Sequence, residues 1–316
     1  MVEVGEMMHK KFNVQSQAVA GVIEALLMVA LVSIVISMIQ LYYIPQVMEQ
    51  KEAEHMDQVF NQFSSLKSMM DMQSMTQSSS PISSMITLGS RELPYFITAR
   101  SYGGLTVNEQ MQYRLETPNG FPIIFPPFPS GASFPPGTVP LTSIEYDADN
   151  SYFTDQSYIL EGGGIIVNQP DGIPVMRANP SISAGYIGVP PNDKVKIHFE
   201  LPVSMGMRAK NNSYSEGNCF IRTNYSVNNT YSYLVEKSQV GDCLKIFTKY
   251  PNAWNESLND ILEDFVNNSN IVITNVHAEP TSYIKIAPNS GVNGKDILLE
   301  INVIRIYVQI GPGWIK

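Results

Sequence analysis

The chain changes its alternation of apolar and polar positions twice. From Ala18 to Ile44 it reads AVAGVIEALLMVALVSIVISMIQLYYI, 27 residues in which Glu24 is the one formal charge. As an α-helix that run spans about 40 Å, more than the ~30 Å hydrocarbon core of a bilayer. A secretory signal peptide has a shorter apolar region, about 7–15 residues, and a small-residue cleavage site, which does not follow here. Tyr42 and Tyr43 stand at the far end, where interfacial aromatics collect. The pattern predicts a transmembrane helix over 18–44, with 1–17 as a cytoplasmic leader.

The second pattern begins at Pro45, which predicts an end or a kink of the span. Residues 46–77 contain no Gly or Pro, and Met56, Phe60, Phe63, Leu66 and Met70 recur every three or four positions. That spacing puts them on one helical face. A stalk helix over 45–77 is predicted, its apolar stripe covered by the chain's own head or by a sister subunit. Met69, Met70, Met72 and Met75 add an adaptable packing surface. Ser78-Ser-Ser-Pro81 breaks the pattern and predicts a linker over 78–84.

The third pattern fills the β-rich head, 85–316. Short runs such as Gly164–Asn168, Val195–Leu201, Leu244–Thr248 and Ile297–Ile310 alternate apolar and polar residues between Gly, Pro, Asn and Asp. Period-two alternation predicts half-buried antiparallel strands, arranged as a sandwich or as a twisted sheet on the stalk helix. The fold class is therefore α+β. Residues 258–266 predict a short helix, capped by Asn255 or Ser257. Phe121 to Pro140 holds seven prolines, which exclude a helix or a central strand. It reads as an extended loop packed by Phe121, Phe125, Phe128 and Phe134, or as a contact surface for a partner.

Charge sets the orientation and narrows the function. Lys10 and Lys11 precede the span, and one lysine, Lys51, follows it among Glu49, Glu52 and Glu54. The positive-inside rule then predicts a cytoplasmic N-terminus and an extracellular head. A net charge of −9 gives no basic footprint for nucleic acid. Cys219 and Cys243 would lie outside the cell. A disulfide there closes a loop of about 24 residues and stabilises by roughly 3 kcal/mol; the other reading is two buried free thiols. Asn-X-Ser/Thr sequons begin at Asn211, Asn224, Asn228, Asn255 and Asn267, candidate N-glycosylation sites on an extracellular surface.

The run Ala18-Val-Ala-Gly-Val-Ile-Glu-Ala-Leu-Leu-Met-Val-Ala30 resembles the N-terminal helix of archaeal type IV pilin-like proteins. The resemblance covers the first 30 to 60 residues. It implies cleavage by a prepilin-type peptidase between Ala18 and Val19, anchoring by the helix, and self-association with Val19, Gly21 and Glu24 at the packing surface. It also implies the pilus assembly machinery as a partner, beside the lipid bilayer. Glu24 would pair with a neighbour's N-terminal amine; alternatively it snorkels or stays protonated. Gln17 stands where the family has Lys or Arg, and Ala20-Gly21 where it has Ser-Pro. A persistent signal anchor therefore stands beside the cleaved form.

The search for chemistry predicts no catalytic residue, metal site or cofactor. The four histidines, His9, His55, His198 and His277, make no His-x-x-x-His pair. Asp147-Ala-Asp149-Asn-Ser151 begins like a calcium loop but lacks its Gly and closing Glu. Gly162-Gly-Gly164 precedes no Lys-Ser/Thr, so it is not a phosphate loop. The leading expectation is a membrane-anchored surface structural protein, a pilin-like subunit. The alternative is a non-polymerising anchored binding module or adhesin.

Overall fold

The computed structural model describes residues 3–89, 101–117, 123–129, 131, 133–207, 210–239, 241–278 and 281–311, with side chains from residue 21 onward. The chain divides into two compact units, Met1–Ala53 and Glu54–Lys316.

The first unit is helical. Helix α1, Glu3–Met38, passes through a π-helical turn, Ile39–Tyr43, into helix α2, Ile44–Thr76. The π turn lies directly before Pro45. Proline has no N–H to donate and its ring crowds the carbonyl four residues back, so a locally widened turn lets the helix pass without breaking. Of the end or kink predicted at Pro45, the end does not occur: the helix continues into the stalk through the π turn. Every residue from 21 to 43 is exposed. This is a helix long and apolar enough to cross a membrane, by length and composition.

The second unit begins with the rest of α2 and continues into strands. In chain order these are β1 (Ile82–Thr87), β2 (Tyr102–Asn108), β3 (Arg114–Glu116), β4 (Thr138–Pro140), β5 (Ser143–Asp149), β6 (Ser157–Glu161), β7 (Gly164–Asn168) and β8 (Val175–Ala178). There follow β9 (Ile182–Ile187), β10 (Lys194–Gly206), β11 (Asn212–Ser215), β12 (Asn218–Val235), β13 (Leu244–Phe247), β14 (Ile271–Val276), β15 (Tyr283–Pro288) and β16 (Ile297–Ile310). Strand β1 thus occupies part of the segment expected to be a linker.

The described strands form three sheets. Sheet A has the order β1-β12-β16-β10-β9, sheet B β11-β2-β5-β6-β7-β8, and sheet C β14-β15-β13-β3-β4. Pairing is antiparallel except between β10 and β16, which run parallel over twelve paired positions. Parallel pairs are usually covered on both faces, and the C-terminal half of this pair is, whereas nearer its start the second face carries Lys196 and Glu200, 40% and 43% exposed. Leu299, Ile301 and Val303 of β16 join one core, whereas Ile304, Ile306 and Val308 join another. Successive side chains point to opposite faces, so sheet A lies between two cores.

The core on one face of sheet A is completed by the stalk residues. Met56, Val59, Phe63, Leu66 and Met70 are buried with Leu105, Tyr146 and Leu160 of sheet B. The predicted apolar stripe is therefore covered by the chain's own head. Buried Gln73 anchors the end of α2: its Nε2 donates to the carbonyls of Ser80 and Thr223, and its Oε1 accepts from the Thr223 hydroxyl at 2.8 Å. Each polar atom of this inserted side chain finds a partner, which removes the cost of burying it.

The core on the other face joins sheet A to sheet C. Ile123, Phe125, Phe128 and Phe134 of the proline-rich segment are buried in it, with Phe125 stacked on Phe128 at 5.5 Å. The described residues of that segment lead into β4 at the edge of sheet C; Phe121 lies outside the described residues. The predicted short helix is a pair, α3 (Pro251–Ile261) and α4 (Glu263–Asn267). The chain enters α3 at Tyr250, with Pro251 in the first turn, where a missing N–H costs nothing. Asn255 and Ser257 lie inside the helix rather than at its cap.

Candidate functional site

The residues expected to serve assembly lie on α1. Glu24 is exposed. A Cβ added to Gly21 would meet nothing within 4 Å. Ala18 and Val19 are helical, but their side chains lie outside the described residues, as do those of the leader.

The expected disulfide is corrected. Cys219 and Cys243 are both buried free thiols. Cys219 sits on β12 of sheet A in the core beside α2, whereas Cys243 immediately precedes β13 of sheet C. A disulfide needs Cα atoms within about 7 Å and converging Cβ vectors, and the two residues serve different sheets. Burial pushes the Cys243 thiol above its ordinary range, offset in part by Lys285 and Lys245.

The sequons differ in accessibility. Asn267 is exposed at the end of α4, and Asn211 and Asn228 are half-buried. Asn224 is half-buried on β12, with its Oδ1 buried and unpartnered among the described residues. The Asn255 sequon runs through α3, and its Ser257 hydroxyl is buried and donates to Asn179 Oδ1 at 3.0 Å.

The remaining polar motifs resolve into structural roles. Asp147 accepts from the Ser157 hydroxyl at 2.6 Å, and Asp149 from the Tyr214 hydroxyl at 3.0 Å. Among the described residues no group of three His, Cys, Asp or Glu side chains could hold a metal ion. His198 stands 3.4 Å from Glu300 on the paired strand, and Lys196 lies 2.5 Å from the same carboxylate. Lys196, then His198, hold the Glu300 carboxyl below its usual range. Gly162 and Gly163, with φ of +56° and +83°, form the two-residue turn between β6 and β7. Two successive positive φ values are what a tight hairpin of the favoured hand requires.

Two constellations were not legible in the sequence. The first surrounds Glu161, which is 2% exposed. Its Oε1 accepts from the Thr248 hydroxyl and from the Trp254 indole N–H, each at 2.7 Å. Burial raises its pKa to about 7, against the lowering effect of those hydrogen bonds. A carboxyl that is poised near neutrality often signals catalysis. Its two hydrogen bonds join the end of β6 to Thr248, just after β13, and to Trp254 of α3.

The second is a cleft of about 270 Å³ at the edge of sheet C. Its floor is the outward face of the β14–β15 pair, where Val272 lies opposite Ala287 and Thr274 opposite Lys285. Its wall is the loop from β12 to β13, contributing Glu236, Gln239 and Asp242. Oδ2 of Asp242 is buried without a hydrogen-bond partner among the described residues. Burial raises the Asp242 pKa, as does nearby Glu236, while a hydrogen bond with Tyr233 opposes the shift. Nothing in the spacing of Tyr233, Asp242 and Lys285 along the chain announces this convergence.

Compared with models of protein families, with curated proteins and with solved structures, the chain finds no match.

Proposed function

We propose that this chain is a membrane-anchored cell-surface structural protein, a type IV pilin-like subunit that assembles through its N-terminal helix. One observation carries the reading. Between Val22 and Tyr43, sixteen large apolar side chains encircle the helix, each at least 37% exposed. Burying one such side chain is worth about 1.5–3 kcal/mol, so leaving all of them in water is untenable. Lipid satisfies them, and so does a bundle of sister helices. The likeness of residues 18–30 to archaeal pilin helices favours both in succession, with leader removal between Ala18 and Val19.

In this reading the N-terminus is cytoplasmic and the head, with its layered, sandwich-like sheets, is displayed outside. Glu24 is the lone carboxylate of the span, and a neighbour's amine would neutralise it. A non-polymerising anchored binding module is the second reading, favoured by the polar cleft on sheet C. Neither requires a catalytic centre.

Cysteines placed singly along residues 19–44 test the assembly. The pilin-like reading expects strong chain-to-chain cross-links in native membranes, and mature protein beginning at Val19 by peptide mapping. A full-length, uncross-linked chain would leave the lone anchor. Recovery in the soluble fraction without detergent would end both readings.

A further inference from the structure

We infer that the outward face of strands β11, β2 and β5 seats an arginine side chain of a partner protein, its guanidinium laid against the parallel rings of Tyr214 and Tyr102 and bonded to Asp147 and Asp149. This stands apart from the membrane reading, because every residue involved belongs to the second compact unit.

The geometry begins at a glycine. Tyr214 of β11 lies opposite Gly104 of β2, which lies opposite Asp147 of β5. Neighbouring strands are about 4.8 Å apart, so a tyrosine can reach across the middle strand where that strand has no side chain. Here it does. A Cβ on Gly104 would stand 3.3 Å from the Tyr214 ring, and the Tyr214 hydroxyl donates to Asp149 Oδ2 at 3.0 Å. Tyr102, two residues before Gly104, sets its ring within 7° of parallel to that of Tyr214, with centroids 5.8 Å apart. The result is an aromatic shelf held in place by the bond to Asp149. Covering Gly104 accounts for the inner side of the Tyr214 ring and leaves the outer side in water. Tyr214 is 63% exposed and Tyr102 36%.

The surroundings select the ligand. Asp147 and Asp149 are exposed and Glu145 is half-buried, all three on the shelf's side of the sheet. Strands β2, β5 and β11 contain no Lys or Arg. Nearby donors are already engaged: Asn108 Nδ2 donates to Glu145 at 3.0 Å, and the Ser157 hydroxyl to Asp147 at 2.6 Å. Each carboxylate can accept about four hydrogen bonds, so Asp147 and Asp149 keep lone pairs for a ligand. The face thus presents ring faces and acceptors, and its complement is a flat cation that donates. An anion meets three carboxylates. An ammonium is a compact, strongly hydrated point charge. A guanidinium is planar and weakly hydrated, stacks on aromatic rings and presents N–H groups to carboxylates at its edge.

The test uses the full chain in a non-ionic detergent. Blocked pentapeptides of glycine with arginine, lysine or citrulline at the centre are titrated separately. Saturation of the protein's aromatic protons is read by NMR as transfer to the central side chain. Arginine is expected to bind about fivefold more tightly than lysine or citrulline, its uncharged isostere. Tyr214→Leu and Asp147→Asn should each weaken arginine binding about fivefold. Tyr214→Phe, which keeps the ring, should retain most of it, and exposed Glu256→Gln should not change it. Should Tyr214→Leu fail to fold, Asp147→Asn decides. Absence of transfer to arginine would overturn the inference. So would equal binding of arginine and lysine that these variants leave untouched, which is general attraction to an acidic protein. A methyl glycoside that responds where arginine does not would overturn the assignment of the ligand class.

Discussion

The indole N–H of Trp254 donates to Oε1 of Glu161 at 2.7 Å, joining a helix to the last residue of a strand in a buried setting. The Thr248 hydroxyl donates to the same oxygen. Because burial dominates, the folded-state pKa is raised from 4.5 to about 7. Folded protein thus holds a proton that the unfolded chain releases. The associated stability is full below about pH 4.5 and is lost as pH rises through about 7. Unfolding by urea should therefore show lower stability at pH 8 than at pH 5, by on the order of 3 kcal/mol from this group. Glu161→Gln keeps the acceptor and removes the ionisation, so its stability should hardly change over that interval. Equal pH dependence in both proteins would refute this account.

The turn beneath that carboxyl tolerates nothing larger than glycine. A Cβ on Gly162 would lie 2.9 Å from two carbons of the Trp254 ring, at a φ of +56°. Gly162→Ala should destabilise by about 1–3 kcal/mol, from left-handed backbone strain and displacement of Trp254. At Gly185 an added Cβ meets nothing within 4 Å and φ is ordinary, so Gly185→Ala should be nearly neutral. Thermal melts of the two variants, read by tryptophan fluorescence, make the comparison.

The stalk's inner face should behave as core. Phe63 is fully buried, with its ring 6.4 Å from Tyr146 and 6.2 Å from Tyr158. Phe63→Ala should cost about 3–5 kcal/mol, whereas Met75→Ala, at an 81% exposed site, should cost a few tenths. Similar denaturation midpoints for the two variants would mean that this part of α2 does not belong to the head.

Two free thiols are expected whatever the compartment. Denatured but unreduced protein should take up two equivalents of a thiol reagent, and native protein almost none, since Cys219 and Cys243 are 5% and 4% exposed. A single modified thiol, or none, would show that oxidation had occurred.

If the head is glycosylated, occupancy should follow accessibility. Asn267 is the best placed sequon, and Asn224 the worst, its Oδ1 buried on β12. Glycopeptide mapping that found Asn224 occupied and Asn267 bare would contradict this order.

Much of the architecture is written in local periodicity. The apolar run through Ile44 gives a helix because every backbone group is satisfied within it and nearly every side chain is apolar. The stripe from Met56 to Met70 gives the buried face of α2. Period-two alternation gives most strands, and the turn glycines give the β6–β7 hairpin. These signals are short-range, and the physics that creates them needs no distant partner.

What local pattern could not decide is which face meets which core, and β12 shows why. Its buried positions Cys219, Ile221, Thr223, Tyr225 and Val235 are all odd-numbered, as are the half-buried Tyr231 and Tyr233. In sequence this reads as one strand face. A bulge between Tyr225 and Val227 adds Ser226 to the ladder, and one unpaired residue turns every later side chain to the other face. Tyr225 therefore packs with α2, while Tyr231, Tyr233 and Val235 pack with sheet C's core. The parallel pairing of β10 with β16, the separation of the two cysteines and the convergence of Asp242 with Lys285 were likewise decided by tertiary structure. Each depends on residues far apart in the chain being brought together. The amphipathic periods alone determined that there would be an apolar helix and a strand-rich head, because those depend on each segment's own side chains.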